Sequence, residues 1–349
     1  MQFTAVRRMK RPDELAREVW AGGGGAAGAA LRLLLAPAEA GYAAVTGARN
    51  GAYDRGWLRS ERVDVPVISI GNISVGGAGK TPFAAWIARR LVEWGRLPAI
   101  ALRGYGEDEI LLHRELNPDV PVFRGKRRVE AARAAAAAGR DVVVLDDAFQ
   151  HRALARDLDV VLVPVEGWEP RPRLVPRGPW RESPRALARA DVVVLTRKSA
   201  DAARAAAVEA EVARLHPRVP IVRCALLPSR LAPLHGGDAL PVGALAGRRA
   251  LAVAALAIPE PFIHHLREAG AEVEAITYPD HHPFSNDDAA NLMARAGGRM
   301  MVMTHKDAVK LRPLLTPSAP AYVLEQSVAM ESGADVLDAA LRRALEARR

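Results

Sequence analysis

The run Gly71-Asn72-Ile73-Ser74-Val75-Gly76-Gly77-Ala78-Gly79-Lys80-Thr81-Pro82 constrains the fold of this 349-residue chain more than any other feature. Residues 63–70, an alternating apolar segment before it, read as a strand, and residues 83–94 after it read as a helix. A tight turn from strand to helix can aim several backbone N–H groups at one phosphate, and the helix N-terminus adds its positive dipole end. The expected nucleotide contacts are Ile73, Ser74, Val75, Gly76, Gly77, Ala78, Gly79, Lys80 and Thr81. Lys80, expected at the surface of the loop, would reach the β- and γ-phosphates, and the Thr81 hydroxyl would ligate Mg²⁺. Ser74 stands where the usual pattern has glycine. The alternative is a glycine-rich turn with a chance Gly-Lys-Thr.

From residue 63 onward short apolar segments alternate with longer helical ones. Strands are expected at 63–70, 98–102, 141–145, 160–163, 191–195 and 221–224, and helices at 81–94, 127–138, 184–190 and 200–215. This alternation predicts a P-loop-type α/β/α sandwich with a mostly parallel sheet. Residues 229–247, rich in Pro and Gly, read as a linker. Strands at 251–255, 272–278 and 300–304 and helices at 262–269, 287–296 and 334–347 then predict a second, smaller α/β domain over 248–349. The expected division is thus an N-terminal helical segment over 1–50, a nucleotide-binding domain over 51–228, the linker, and the smaller domain.

The N-terminal segment opens with Arg7, Arg8, Lys10 and Arg11, without the apolar core and cleavage site of a signal peptide. Residues 19–46 are apolar but interrupted by Arg32, Glu39, four consecutive glycines and Pro37, so a spanning helix is not expected. Leu31, Leu33, Leu34 and Leu35 instead suit a helix lying on an anionic membrane face, or one packed on the domain that follows. The net charge of +9 agrees with an anionic partner, and equally with the Arg- and Ala-rich composition of GC-rich coding. Only 5% of residues are aromatic and no zinc-finger spacing occurs, so nucleic acid is not an expected partner. One cysteine, Cys224, lies in an apolar stretch and reads as an inert core residue.

Four further clusters carry chemistry. Asp146 and Asp147 end a wholly apolar strand, the place where nucleotide enzymes hold Mg²⁺ or its waters; a plain strand-end turn is the alternative. Gln150 and His151 follow, and His151 either touches substrate or caps the next segment. Asp280-His281-His282 follows an expected strand and suits proton transfer; the remaining ligands of a metal site are missing at recognisable spacing. Arg103-Gly104-Tyr105-Gly106-Glu107-Asp108-Glu109 reads as a turn whose acids assist Mg²⁺ or accept a proton, or as a solvated acidic turn. Residues 174–182 hold Arg177 and Arg181 in a Pro/Gly frame, suited to anionic substrate groups or to an ordinary surface loop.

Together these motifs resemble the tetraacyldisaccharide 4'-kinases, the lipid A 4'-kinases of Gram-negative bacteria. The resemblance rests on residues 71–82, 103–106, 146–151, 174–182 and 279–281, and on Thr304-His305-Lys306-Asp307-Ala308-Val309-Lys310-Leu311, in the family's order. It implies transfer of the γ-phosphate of ATP, with Mg²⁺, to the 4'-hydroxyl of a tetraacyldisaccharide 1-phosphate lipid, giving lipid IV-A. It implies peripheral attachment at the cytoplasmic face of the inner membrane; no obligate protein partner is expected. By likeness, Asp108 pairs with His281 as the base, and Glu109 assists the metal beside Thr81, Asp146 and Asp147. Arg103, Tyr105, Gln150, His151, Arg177 and Arg181 are the expected acceptor contacts. Three departures stand out. Residues 174–184 read Leu-Val-Pro-Arg-Gly-Pro-Trp-Arg-Glu-Ser-Pro where the family has Leu-Pro-Ala-Gly-Pro-Leu-Arg-Glu-Pro, so Arg177 would add a contact to the substrate's anionic face. The acids 108 and 109 follow the Arg-Gly-Tyr-Gly at once, where the family has an insertion. Ala148 replaces a glycine, which requires a negative φ there. The competing reading is a membrane-associated ATPase or GTPase switch without a metabolite acceptor, which has no need of Asp280-His281.

Overall fold

The computed structural model describes residues 20, 22–23, 25–103 and 107–347. Arg7, Arg8, Lys10, Arg11 and Tyr105 lie outside them. Two N-terminal helices, α1 (Gly25–Leu34) and α2 (Ala36–Asp54), precede the first strand. The sheet strands of the first half are β1 (Val67–Asn72), β2 (Pro98–Arg103), β3 (Val122–Gly125), β4 (Val142–Leu145), β5 (Leu158–Pro164), β6 (Val192–Arg197) and β7 (Ile221–Pro233). Between them run α3 (Lys80–Glu93), α4 (Glu107–Leu116), α5 (Arg128–Ala137) and α6 (Ala202–Leu215). The second half contributes β8 (Leu240–Pro241), β9 (Arg249–Ala254), α7 (Glu260–Glu268), β10 (Glu272–Thr277) and α8 (Asn286–Ala296). It ends with β11 (Met300–Met303), α9 (His305–Leu311), β12 (Ala321–Ser332) and α10 (Ala334–Glu346).

Among the described residues one twelve-stranded sheet runs β10-β9-β11-β12-β7-β6-β5-β1-β4-β2-β3, with β8 on β7. All neighbours are parallel except β12 with β7 and β8 with β7. The central parallel strands of the first half are buried on both faces, in keeping with their predominantly apolar sequences. Helices α3 and α10 cover one face around Ile68, Ile87 and Leu341, and α6 covers the other around Val161, Val193 and Val208.

The antiparallel ribbon of β7 and β12 sets the position of the site. β6 pairs with β7 at residues 221–225, the start of that long strand. β11 pairs with β12 at residues 321–323, which lie opposite the far end of β7. The two halves therefore hang from opposite ends of the ribbon. Their parallel strands run in opposite senses, and the C-terminal strand ends of each half face those of the other across a cleft. In open α/β sheets that edge is where ligands bind.

Three differences from expectation follow. The stretch expected as a linker from residue 229 begins inside β7. Strands β3 and β12 occupy segments without an expected strand, and helix α4 begins inside the expected acidic turn. Helix α10 returns to the first half, where Leu337 and Leu341 are fully buried in its core. Each such leucine contributes roughly 1.5–3 kcal/mol on burial, and the Arg90–Asp338 ion pair adds a polar tie to α3.

Candidate active site

The loop between β1 and α3 turns on two glycines in the left-handed region, Gly76 (φ 110°) and Gly79 (φ 82°). A Cβ at Gly79 would stand 2.2 Å from Leu226 Cδ1, so glycine is required there twice over. Ser74 needs no such freedom. Its φ is not positive, and it forms a β-bridge with Trp180 that pins the loop to the 174–182 segment. Val75 N–H donates to Pro179 O and Arg181 N–H to Ile73 O. From the other side Thr196 Oγ1 donates to Ala78 O, and Lys198 Nζ to Gly77 O at 2.8 Å.

Lys80 is not at the surface. Its side chain is 13% exposed, 3.1 Å from Asn72 Oδ1 and 3.4 Å from Asp147 Oδ1. Thr81 Oγ1 donates to Asp146 Oδ2 at 2.9 Å. The same oxygen stands 3.0 Å from Nε2 of His113, a fully buried residue of α4. Arg128 donates to the main-chain oxygens of both Asp146 and Asp147. Asp147 adopts a left-handed backbone, φ 50°, and bonds Arg181 at 2.8 Å. Burial opposes its ionisation, but Lys80, Arg181 and Arg128 outweigh burial and hold its carboxyl below the ordinary range. Ala148 is not among the residues with positive φ, as its side chain requires.

The opposite side of the cleft comes from both halves. α4 carries Asp108 and Glu109. His281 follows β10, and Lys306 and Lys310 lie on α9. His281 Nδ1 stands 3.3 Å from Asp108 Oδ2, and Lys310 Nζ is 3.7 Å from the same oxygen. The hydrogen bond from His281 overcomes burial and, with the charges of Lys310 and Lys306, pushes the Asp108 carboxyl down to about 2. His281 is the second non-glycine residue with positive φ (59°) among the described residues; Asp147 is the first. Such backbone strain concentrates at functional positions. His282 does not join the site: it bonds Asp288 at 3.0 Å and stacks on Tyr278. Burial, and then Asp146, Asp108 and Asp147, push Glu109 up.

A cleft of about 520 Å³ lies between these groups, lined by Arg103, Glu109, Asp146, Asp147, His151, Arg181 and His281 among others. Burial, and the charges of Arg128, Arg103, Arg49 and Arg156, push His151 down to about 4, so it is a neutral imidazole near neutrality. Gln150 lines the cleft but spends its amide on Asn72 O and Glu182 Oε1. Arg177 is not brought to the cleft; it pairs with Glu39 of α2 at 3.1 Å. Sequence reasoning missed His113, Arg128 and Asn72. His113 lies beyond the expected turn, on a helix that was not expected, and Arg128 sits in a basic run with no distinguishing pattern.

The donor set fits a magnesium ion that arrives with phosphate. Asp146 is 4% exposed, and its Oδ1 is buried without a hydrogen-bond partner beside the Thr81 hydroxyl. Among the described residues no three His, Cys, Asp or Glu side chains gather into a metal cage. Mg²⁺ needs none, since it is commonly held by one or two carboxylates plus substrate phosphates and waters.

The family model described as Tetraacyldisaccharide-1-P 4'-kinase matches residues 31–346. A tetraacyldisaccharide 4'-kinase of Anaeromyxobacter dehalogenans is 42% identical over 91% of this chain and 91% of its own. One from Xanthomonas campestris is 36% identical over 80% of this chain and 83% of its own. Among solved structures, the "apo" form of LpxK from Aquifex aeolicus in complex with ATP superposes with a TM-score of 0.71 at 26% identity. That similarity covers 90% of this chain and 99% of the other.

Proposed function

The chain belongs to the tetraacyldisaccharide 4'-kinase family, and from that premise we propose how its cleft performs the reaction. The protein is an ATP-dependent lipid kinase of lipid A biosynthesis. It transfers the γ-phosphate of ATP to the 4'-hydroxyl of tetraacyldisaccharide 1-phosphate. The loop amides and Lys80 hold the β- and γ-phosphates, and Thr81 with Asp146 holds Mg²⁺, assisted by Glu109. When bound there, the metal would supply charge neutralisation for the phosphates. The Lys80–Asp147 and Arg181–Asp147 contacts keep two cations in place before nucleotide arrives.

The 4'-oxygen attacks the γ-phosphorus, the bond to the bridging oxygen of ADP breaks, and the hydroxyl proton passes to Asp108. A carboxylate with so low a proton affinity suffices, because in a loose transition state the hydroxyl becomes acidic only as its bond to phosphorus forms. His281 orients Asp108. Arg103, His151 and Arg181 face the acceptor. The nucleoside extends toward a second cleft of about 430 Å³ bordered by Lys198, Leu227 and His265, adjoining the loop through the Lys198–Gly77 bond.

The observation that carries this reading is the 3.3 Å His281–Asp108 contact between the two halves, with His281 lining the same cleft as Glu109, Asp146 and Asp147.

We further propose that the protein works on an anionic membrane face, the cytoplasmic face of the inner membrane. No helix among the described residues is long and apolar enough to cross a membrane. On α1, Leu33 and Leu34 are 71% and 76% exposed. Helix α2 links that apolar edge to the cleft. Tyr42 donates to Arg181 O, Arg49 to Gln150 O and Asn50 to Glu182. Acyl chains can stay in the lipid while the disaccharide enters the cleft.

The test is incubation with γ-labelled ATP, Mg²⁺ and the disaccharide 1-phosphate in detergent, with thin-layer chromatography. Label is expected on the lipid; label released only to water would favour the hydrolytic switch.

A further inference from the structure

Lys306, in the second position of α9, makes two contacts that the catalytic scheme leaves unexplained. Its Nζ stands 3.0 Å from Asp280 Oδ1 and 3.1 Å from His281 Nε2. An ammonium group has donors only, so Nε2 must be the acceptor and must carry no proton. On the other edge of the ring, Nδ1 faces Asp108 Oδ2 at 3.3 Å. An ionised carboxylate only accepts, so Nδ1 must donate. Both neighbours demand the same neutral ring, protonated on Nδ1 alone.

The origin of Lys306 is fixed. Thr304 caps α9 by accepting from Asp307 N–H. Asp307, fully buried, accepts from Thr304 Oγ1 at 2.7 Å and from Ala255 N–H at 3.1 Å. The start of the helix is thereby clamped to the end of β9. Lys310, one turn on, faces Asp108 and donates to His282 O. His281, by contrast, is a half-exposed side chain on a left-handed residue of a loop, with little packing to hold its ring. The charged groups facing it are Asp108 and Glu109 from α4, Asp280 from its own loop, and Lys306 and Lys310 from α9.

We propose that Lys306 is a positioning residue for the reaction, fixing the tautomer and ring orientation of His281 so that its Nδ1–H is aimed at Asp108. The inference rests on Asp108 and His281 acting as the pair described above. In such pairs, which nitrogen carries the proton is set by the bond that the other nitrogen makes. A plain surface ion pair between Lys306 and Asp280 is the competing account.

The experiment uses the full chain in detergent with ¹⁵N-labelled imidazoles, the His281 signals being assigned by their loss in His281→Gln. Wild type is expected to show His281 as the Nδ1–H tautomer alone. Lys306→Met should give a mixture of tautomers and lower kcat about tenfold, with KM for ATP nearly unchanged. Lys306→Arg, which also can only donate, should keep the wild-type spectrum and recover most of the activity. In the His281→Gln background, Lys306→Met should cost little more. An unshifted His281 spectrum in Lys306→Met, or a loss as large without His281 as with it, overturns the inference and leaves the pair standing. Full kcat in His281→Gln overturns the pair itself, and this inference with it.

Discussion

On the wall proposed to hold nucleotide, the Lys80 side chain is 13% exposed; on the proposed acceptor wall, that of His281 is 56% exposed. The first wall is built within one half of the molecule, where β1 and β4 are direct neighbours and deliver the loop and the two aspartates side by side. The second wall closes only where α4 of one half meets the β10 loop and α9 of the other. The proposed nucleotide wall therefore lies within one sheet edge, whereas the proposed acceptor wall joins the two halves across the β7–β12 ribbon, which carries register shifts between Glu325 and Gln326 and between Met330 and Ser332.

The largest expected effect breaks the acceptor wall alone. Asp108→Ala and His281→Ala should each lower kcat, by up to about ten-thousandfold for the base itself, while KM for ATP hardly moves. As one unit the double variant should lose little more than the worse single one. Multiplicative losses, with rescue of Asp108→Ala by added Mg²⁺, would place Asp108 with the metal and dissolve the contrast between the walls.

Lys80→Ala tests the other wall and should slow turnover by about a hundredfold or more. It should also weaken ADP binding, which the acceptor variants should not. Because Lys80 is buried against Asn72 and Asp147, a modest drop in melting temperature should accompany it. More than roughly a tenth of wild-type turnover would count against the loop assignment, given the usual worth of such a group.

Two leucines on α1 test the membrane reading. Leu33→Asp with Leu34→Asp should reduce sedimentation with anionic liposomes about tenfold or more, since each buried leucine is worth roughly 1.5–3 kcal/mol. Unchanged sedimentation would move the membrane contact elsewhere.

A weaker tie between the halves sharpens the comparison. Glu115 of α4 accepts from Arg312, just past α9, and stands 3.6 Å from His305. Glu115→Ala should lower kcat only several-fold, as expected of a polar contact worth about 1 kcal/mol, and leave ADP affinity alone. An equal loss of ADP affinity would mean that the walls are not independent.

The smallest effect concerns acid. His151 is pushed from 6.5 in the ordinary imidazole down to about 4, so below pH 6.5 the unfolded chain takes up a proton that the folded chain refuses. Its contribution is complete above pH 6.5 and is lost as pH falls toward 4. His151→Gln should flatten that part of the melting-temperature profile; an identical acid slope in both proteins would show that the ring is not held neutral.

How legible each wall was follows from how it is built. The loop at 71–82 and the acids at 146 and 147 are contiguous motifs on apolar strands, and local pattern locates both. The left-handed backbone of Asp147 was not legible: Ala148 implied only that its own φ is negative. Residues 103–109 were read as a turn because of their glycines and acids, and no helix was expected over 110–116. In the structure the same acids occupy the first turn of α4, where the helix dipole favours negative charge. That one misreading hid His113, which shares the buried face that supports Asp146.

The sequence by itself determined the glycine-rich loop between strand and helix, the acids at the end of the following apolar strand, and the alternation of strand and helix. All of these are encoded within a few residues of one another by side-chain periodicity and by glycine's conformational freedom. Tertiary structure alone decided that β7 would run on through Pro-rich sequence to pair with β12, that α10 would return to the first half, and that Arg177 would hold α2. It alone set Asp108, His281 and Lys306, drawn from three distant segments, within hydrogen-bond reach. Contacts across such separations depend on which surfaces bury each other. No local pattern encodes that, because the partners compete for the same apolar faces only once the chain has folded.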